Sequence, residues 1–127
     1  FVANNSRSIG DRFAALKIDG IFVGEGIPEK KRANAFMSMR VKEPMTSVEV
    51  LIDATVWGSA KDGLLITNRA LYFKNMMEDP VRIEFGDLKD VKADGKSIVF
   101  GGQRFSPGVF SEETILKMAE IITANFQ

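Results

Sequence analysis

Residues 57–105 read WGSAKDGLLITNRALYFKNMMEDPVRIEFGDLKDVKADGKSIVFGGQRF. Apolar and polar side chains alternate here in short runs, and turn residues cut each run from the next. Leu64 to Asn68 and Ala70 to Asn75 read as two strands around a tight Asn68-Arg69 connection. Asn tolerates the positive φ that a two-residue hairpin asks for. Met76 to Pro80 form a loop. Val81, Ile83 and Phe85 then alternate with Arg82 and Glu84. Val91 lies on a shorter strand, and Asp94-Gly95 is the strongest hairpin signal in the chain. Ile98 and Phe100 point inward from the strand that follows. Gly101-Gly102 bends the chain into one last short strand at Arg104 and Phe105.

Upstream, Val48, Val50, Ile52, Ala54 and Val56 face one way, while Glu49, Asp53 and Thr55 face the other. That predicts one long strand over 48–57, with Leu51 and Trp57 breaking the alternation. Lys61-Asp62-Gly63 supplies its turn. Downstream, Ser111 caps a helix with Glu112 and Glu113 in its first turn, where negative charge suits the helix dipole. Ile115, Met118, Ala119, Ile122 and Phe126 make its apolar stripe, with Glu113, Lys117 and Glu120 largely opposite.

The first 45 residues read differently. Ile9, Phe13 and Leu16 predict a short amphipathic helix over 8–19 ending near Gly20. Ile21-Phe22-Val23 is a brief apolar segment with the look of a strand. Pro28 suits the first turn of a second helix. Ala33, Phe36, Met37 and Arg40 share one face of it, Phe36 and Met37 are expected to bury, and Pro44 ends it.

The expected fold class is therefore α+β: about seven antiparallel strands forming a bent sheet or open barrel, a C-terminal helix capping it, and N-terminal helices. We expect one domain over 1–127, with a helical extension at 1–45 and the strands and final helix at 46–127.

The segment GLLITNRALYFKN at 63–75 resembles the strand pair "gxlxxTnxxlyf" of GRAM and bacterial pleckstrin-homology-like (PH-like) domains. FGDLKDVKADGKSIVF at 85–100 resembles the strand that follows, through Ile83, Phe85, Asp87, Leu88 and Val91. The resemblance spans roughly 48–126 and leaves the extension outside the usual module. It implies a barrel plugged at one end by the helix. It also implies binding of phosphoinositides, peptides or proteins, or a role in assembly. Fold does not fix function, so these remain implications.

Composition narrows the chemistry. The chain has 127 residues, no histidine and no cysteine. It therefore lacks the usual proton-transfer side chain near neutral pH, the commonest zinc ligand and any thiolate. Absence of cysteine fits a reducing compartment, so a cytoplasmic location is expected, membrane-peripheral under a lipid-binding reading. The 17 basic and 17 acidic residues cancel, which gives no general field for nucleic acid or an anionic surface. No run approaches the roughly 18 apolar residues of a membrane span. FVANNSRSIG lacks signal-peptide order, and the chain starts without methionine, as a processed or trimmed product or part of a longer protein would.

Candidate contacts are few. The loop Gly58 to Gly63 offers Lys61 to an anion or lipid headgroup, but Asp62 sits beside it. Gly24-x-Gly26 precedes a helix start followed by Lys30, Lys31 and Arg32, a second candidate anion or lipid contact. Glu25 and Glu29 oppose that role, and the spacing matches neither Rossmann nor Walker patterns. Met76, Met77 and Trp57 are candidates for apolar contact with a partner. The alternative is that the methionines cover the barrel end and Trp57 plugs the core. Asp90, Asp94 and Gly95 superficially suggest a calcium loop, but Lys92 and Gly101 occupy ligand positions, so no metal site is expected. Asp53, Glu84 and Asp87 would form a carboxylate pair only if the fold joined them. No hydroxyl has a histidine base.

No cofactor and no catalytic residue is expected. The leading expectation is a non-catalytic module for protein–protein interaction or self-association, through a sheet edge or an apolar patch. Peripheral binding to anionic lipid comes second, and a small-molecule enzyme third.

Overall fold

The computed structural model describes residues 8–126, so the reading of 1–7 lies outside the described residues. The elements run α1 (Ile9–Ala14), β1 (Ile21–Val23), α2 (Glu29–Ser38), β2 (Val50–Asp53), β3 (Gly63–Ile66), β4 (Ala70–Lys74) and β5 (Val81–Glu84). They continue with β6 (Val91–Asp94), β7 (Ser97–Phe100), β8 (Gln103–Phe105) and α3 (Glu112–Phe126). The fold is α+β. One antiparallel sheet of five strands runs β1-β2-β3-β4-β5, and a second of three runs β6-β7-β8. No ladder joins them, so the sheet does not close. Where the sheets approach, a side chain bridges them. Asn75 Nδ2 donates to the Arg104 carbonyl at 2.9 Å, and Asn75 Oδ1 accepts the Ser106 N–H at 2.7 Å.

The main core fills the space between the sheets. Val50, Ile52, Leu64, Ile66, Leu71 and Phe73 enter it from the first sheet, and Ile98, Phe100 and Phe105 from the second. Phe73 stacks on Phe100 with ring centroids 5.3 Å apart. From α3 come Ile115, Met118, Ala119 and Ile122, while Phe126 lies on Phe85 at 4.3 Å. Ser111 Oγ accepts the Thr114 N–H at 3.1 Å, giving the expected cap. From α1 come Ile9 and Phe13.

A second core covers the outer face of the larger sheet. Leu51, Leu65, Ala70 and Tyr72 point outward and meet Ile27, Ala35, Met39 and Val41 from the N-terminal region. Strands β2, β3 and most of β4 are thus buried on both faces. This is why Leu51 breaks the simple alternation. Residues 9–41 contribute to both cores, and β1 extends the larger sheet as its edge strand.

Several local expectations are corrected. The strand predicted over 48–57 stops at Asp53, because the Asp53 carboxylate turns back to accept the Thr55 N–H at 2.8 Å and the Thr55 hydroxyl at 2.5 Å. Val48 belongs to the outer core, and Val56 is exposed. The helix predicted over 8–19 ends at Ala14, and Lys17 beyond it takes φ +53°. α2 ends before Pro44, at Ser38. Arg40 adopts φ +53°, and Val41 N–H donates to the Phe36 carbonyl, a Schellman closure without glycine. The buried face of α2 carries Ala35, and Met37 is 78% exposed. The Asn68-Arg69 turn has no positive φ. Instead the buried Thr67 hydroxyl accepts the N–H groups of Arg69 and Ala70, each at 3.1 Å.

Candidate functional site

Three loops meet around one groove: 54–62 after β2, 75–80 after β4, and 106–111 after β8. The groove encloses ≈ 590 Å³, and its walls include Ala54, Val56, Trp57, Met76, Pro107 and Val109. Trp57 is 94% exposed, Met76 75% and Met77 94%, with exposed Val56 and Val109 beside them. Trp57 therefore does not plug the core. The chain leaves the sheet at Asp53, so the tryptophan sits on a loop instead of a strand end. Met76 lines the groove, and Met77 follows it at the tip of a turn closed by Glu78 N–H to the Asn75 carbonyl, 3.1 Å. Met77 takes φ +64° there.

The polar side chains lining the groove already have partners within the chain. Lys74 Nζ meets Asp62 Oδ1 at 2.6 Å, and both side chains are mostly buried. The Thr55 hydroxyl donates to Asp53 and accepts the N–H groups of Ser59, 2.9 Å, and Ala60, 3.2 Å. Asn75 is consumed by Arg104, Ser106 and Glu78. Ser59 Oγ accepts the Lys61 N–H, and Ser106 Oγ pairs with Ser97 Oγ. The surface the groove exposes is mostly apolar.

The basic candidates do not converge. Lys30 is exposed at the start of α2. Lys31 turns inward, with Nζ 2.7 Å from Asp53 Oδ2 and 2.6 Å from the Gly58 carbonyl. Its ammonium also lies 5.4 Å from the centre of the Phe22 ring. Arg32 donates to the Gly24 carbonyl at 2.8 Å. Consecutive helical residues point about 100° apart, which is why three basic neighbours cannot share one face. Lys61 is exposed on the loop, and its carbonyl accepts the Ser38 hydroxyl at 2.6 Å.

A second polar cluster lies on the outer face. Glu43 Oε1 accepts from Tyr72 Oη at 2.9 Å and Thr67 Oγ1 at 3.1 Å, and Glu43 Oε2 accepts from Arg82 at 2.6 Å. Tyr72 Oη also accepts Lys42 N–H and Arg82 Nε, each at 2.9 Å. Burial works against the Glu43 charge, but the hydrogen bonds from Arg82, Tyr72 and Thr67 outweigh it and hold the carboxyl below its ordinary range. Burial raises Tyr72, and Glu43 adds to that. Every valence of the phenol oxygen is used, so this cluster is a structural knot with no position for a reacting atom. Asp53 behaves like Glu43. Burial opposes its charge, and Lys31 and Thr55 together hold it low.

The possible carboxylate set does not assemble. Asp53 on β2 and Glu84 on β5 are separated by two strands, and Glu84 pairs with Arg82 at 3.0 Å. Among the described residues no group of three or more Asp or Glu could hold a metal, and no helix is long and apolar enough to cross a membrane.

Sequence reading missed Val109, the Asp62–Lys74 pair and Asn75 as parts of the groove. The one available signal was Asp53-x-Thr55, a spacing at which side chains commonly turn the backbone. Against known proteins, the chain matches no family model, no curated protein and no solved structure.

Proposed function

We propose that this chain is a non-catalytic binding module of PH-like fold whose apolar groove receives a segment of a partner protein. The strand order supports the fold reading: β2–β5 in one sheet, β6–β8 in another, then a long helix. The observation that carries the function is exposed Trp57 and Met76 on a groove whose Thr55, Ser59, Asp62, Lys74, Asn75 and Ser106 side chains each have a partner within the chain. The existing partners of those side chains disfavour an anion or a polar metabolite. An apolar side chain gains the contact area of an aromatic and a methionine. Exposed Glu78, next to Met77, favours a basic residue beside that side chain, whereas Asp79 already faces Arg40 at 3.9 Å.

The test is selection of peptides from a random library on the whole chain, with Trp57→Ala as the counter-target. Enrichment of peptides with an apolar anchor near Lys or Arg, lost on Trp57→Ala by about 30-fold or more, supports the reading. Failure to enrich, or equal binding by the variant, overturns it. Pelleting with phosphatidylserine vesicles at low salt would assign the groove to lipid instead. Association of the chain with itself, abolished by Trp57→Ala in a light-scattering concentration series, would assign it to a second copy.

A further inference from the structure

Three side chains of α2 reach across to the loop that carries Trp57. Lys31 donates to the Gly58 carbonyl at 2.6 Å, Asn34 to the Ser59 carbonyl at 3.0 Å and Ser38 to the Lys61 carbonyl at 2.6 Å. Residues 31, 34 and 38 recur at the spacing of one helix face. Thr55 holds the same loop through the N–H groups of Ser59 and Ala60. The backbone from 58 to 61 is therefore gripped through both its carbonyls and its amides.

Two residues of the loop lie in the left-handed region. Gly58 takes φ +80° and Ala60 φ +60°. For a residue with a Cβ the left-handed region is disfavoured, because the Cβ crowds the following carbonyl oxygen. Ala60 stays there while fully buried in the outer core, beside residues supplied by α2. A Cβ at Gly58 would come within 3.1 Å of Lys31 Nζ, so the ammonium also fills the space above the loop.

We infer that α2 is a clamp that holds the loop in the geometry displaying Trp57, which makes Lys31, Asn34 and Ser38 positioning residues of the groove. Its importance for binding rests on the docking reading above, but the clamp itself does not. It gives the N-terminal segment a share in a site whose walls come from other loops. It also assigns Lys31, a candidate anion contact by sequence, to the interior of the protein.

Trp57 is the sole tryptophan of the chain, so its fluorescence reports this loop alone. Asn34→Ala with Ser38→Ala removes two grips and leaves the Lys31–Asp53 pair intact, which protects the fold. Lys31→Met added to that pair removes the third. A cooperative circular-dichroism melt is required of each variant. Time-resolved anisotropy of Trp57 is expected to show faster segmental motion in the double variant and still faster in the triple. Peptides selected on the groove are expected to bind the double variant about tenfold more weakly, because the site must first be ordered. Glu29→Gln, on the same helix but without a contact to the loop, is expected to change neither readout. Unchanged anisotropy in both clamp variants overturns the inference, whatever happens to affinity. If no peptide binds the parent chain, the docking reading fails, and the anisotropy still decides the clamp.

Discussion

Glu43–Arg82 and Lys31–Asp53 are nearly the same object. In each, a carboxylate side chain with 5% exposure faces a cation with 23%, and each lies on the outer face of the larger sheet. They differ in what they fasten. Glu43 gathers Arg82 from β5 and Tyr72 from β4, whose backbones the ladders fix, and Thr67 from the hairpin turn before β4. Asp53 gathers a helix and a loop that no ladder fixes. One chemical unit therefore fastens the connection after α2 to the larger sheet, and the other sets the posture of the loop that carries Trp57. Burial and charge pairing alone do not distinguish them. What each carboxylate fastens does.

The largest effect should follow Glu43→Ala. It leaves Arg82, Tyr72 and Thr67 without their shared acceptor, and removing one member of a buried pair costs about 3–5 kcal/mol. A melting temperature lowered by roughly 10 °C or more is expected. A loss below about 1 kcal/mol would show that the knot is not a stabilising unit. Lys31→Met should cost less, about 1–3 kcal/mol, because Asp53 keeps its two bonds from Thr55. Unlike Glu43→Ala, it should also alter Trp57 emission in the native state. Equal emission changes in both variants would erase the distinction drawn here.

Acid provides a third comparison. Glu43 and Asp53 both sit below their ordinary values in the fold. Their stabilisation is therefore complete above the ordinary carboxylate range of about 4. It is lost as pH falls through the lower folded values, since the unfolded chain then binds more protons. Burial raises Glu49, which acts with the opposite sign and offsets part of the loss. Urea midpoints measured from pH 7 downward should decline more steeply for the parent chain than for Glu43→Ala. Parallel curves would exclude Glu43 as a source of the slope. The smallest stability effect is expected for Trp57→Ala. Its side chain lies in solvent, so the unfolding free energy from denaturant titration should change by no more than about 0.5 kcal/mol while peptide binding falls. A large loss of stability would mean that Trp57 supports the fold after all.

Strands and the final helix were readable because their signals are local. Asp94-Gly95 turns where expected, with Gly95 at φ +61°, and the stripe of Ile115, Met118 and Ile122 meets the core. What could not be read depends on partners distant in sequence. The phase of α2 is set by the sheet beneath it, which takes Ala35 and Met39 and leaves Met37 in solvent. Lys31 looks like a surface charge until the fold brings it to Asp53, 22 residues away. Trp57, Met76 and Met77 could be named as apolar candidates, but only the meeting of loops puts Trp57 and Met76 on one groove.

The Asn75 bridge has a kinetic consequence. A carboxamide can rotate away from Arg104 and Ser106 without breaking either sheet. The Ser106 amide should then exchange its proton for deuterium on the timescale of that rotation, while the amides paired between β7 and β8 wait for a larger opening. Asn75→Ala should bring Ser106 to the rate of an unprotected amide and leave the neighbouring ladder as slow as before. The boundary between the two sheets would thus be visible as a step in exchange lifetimes just past the end of a single short strand.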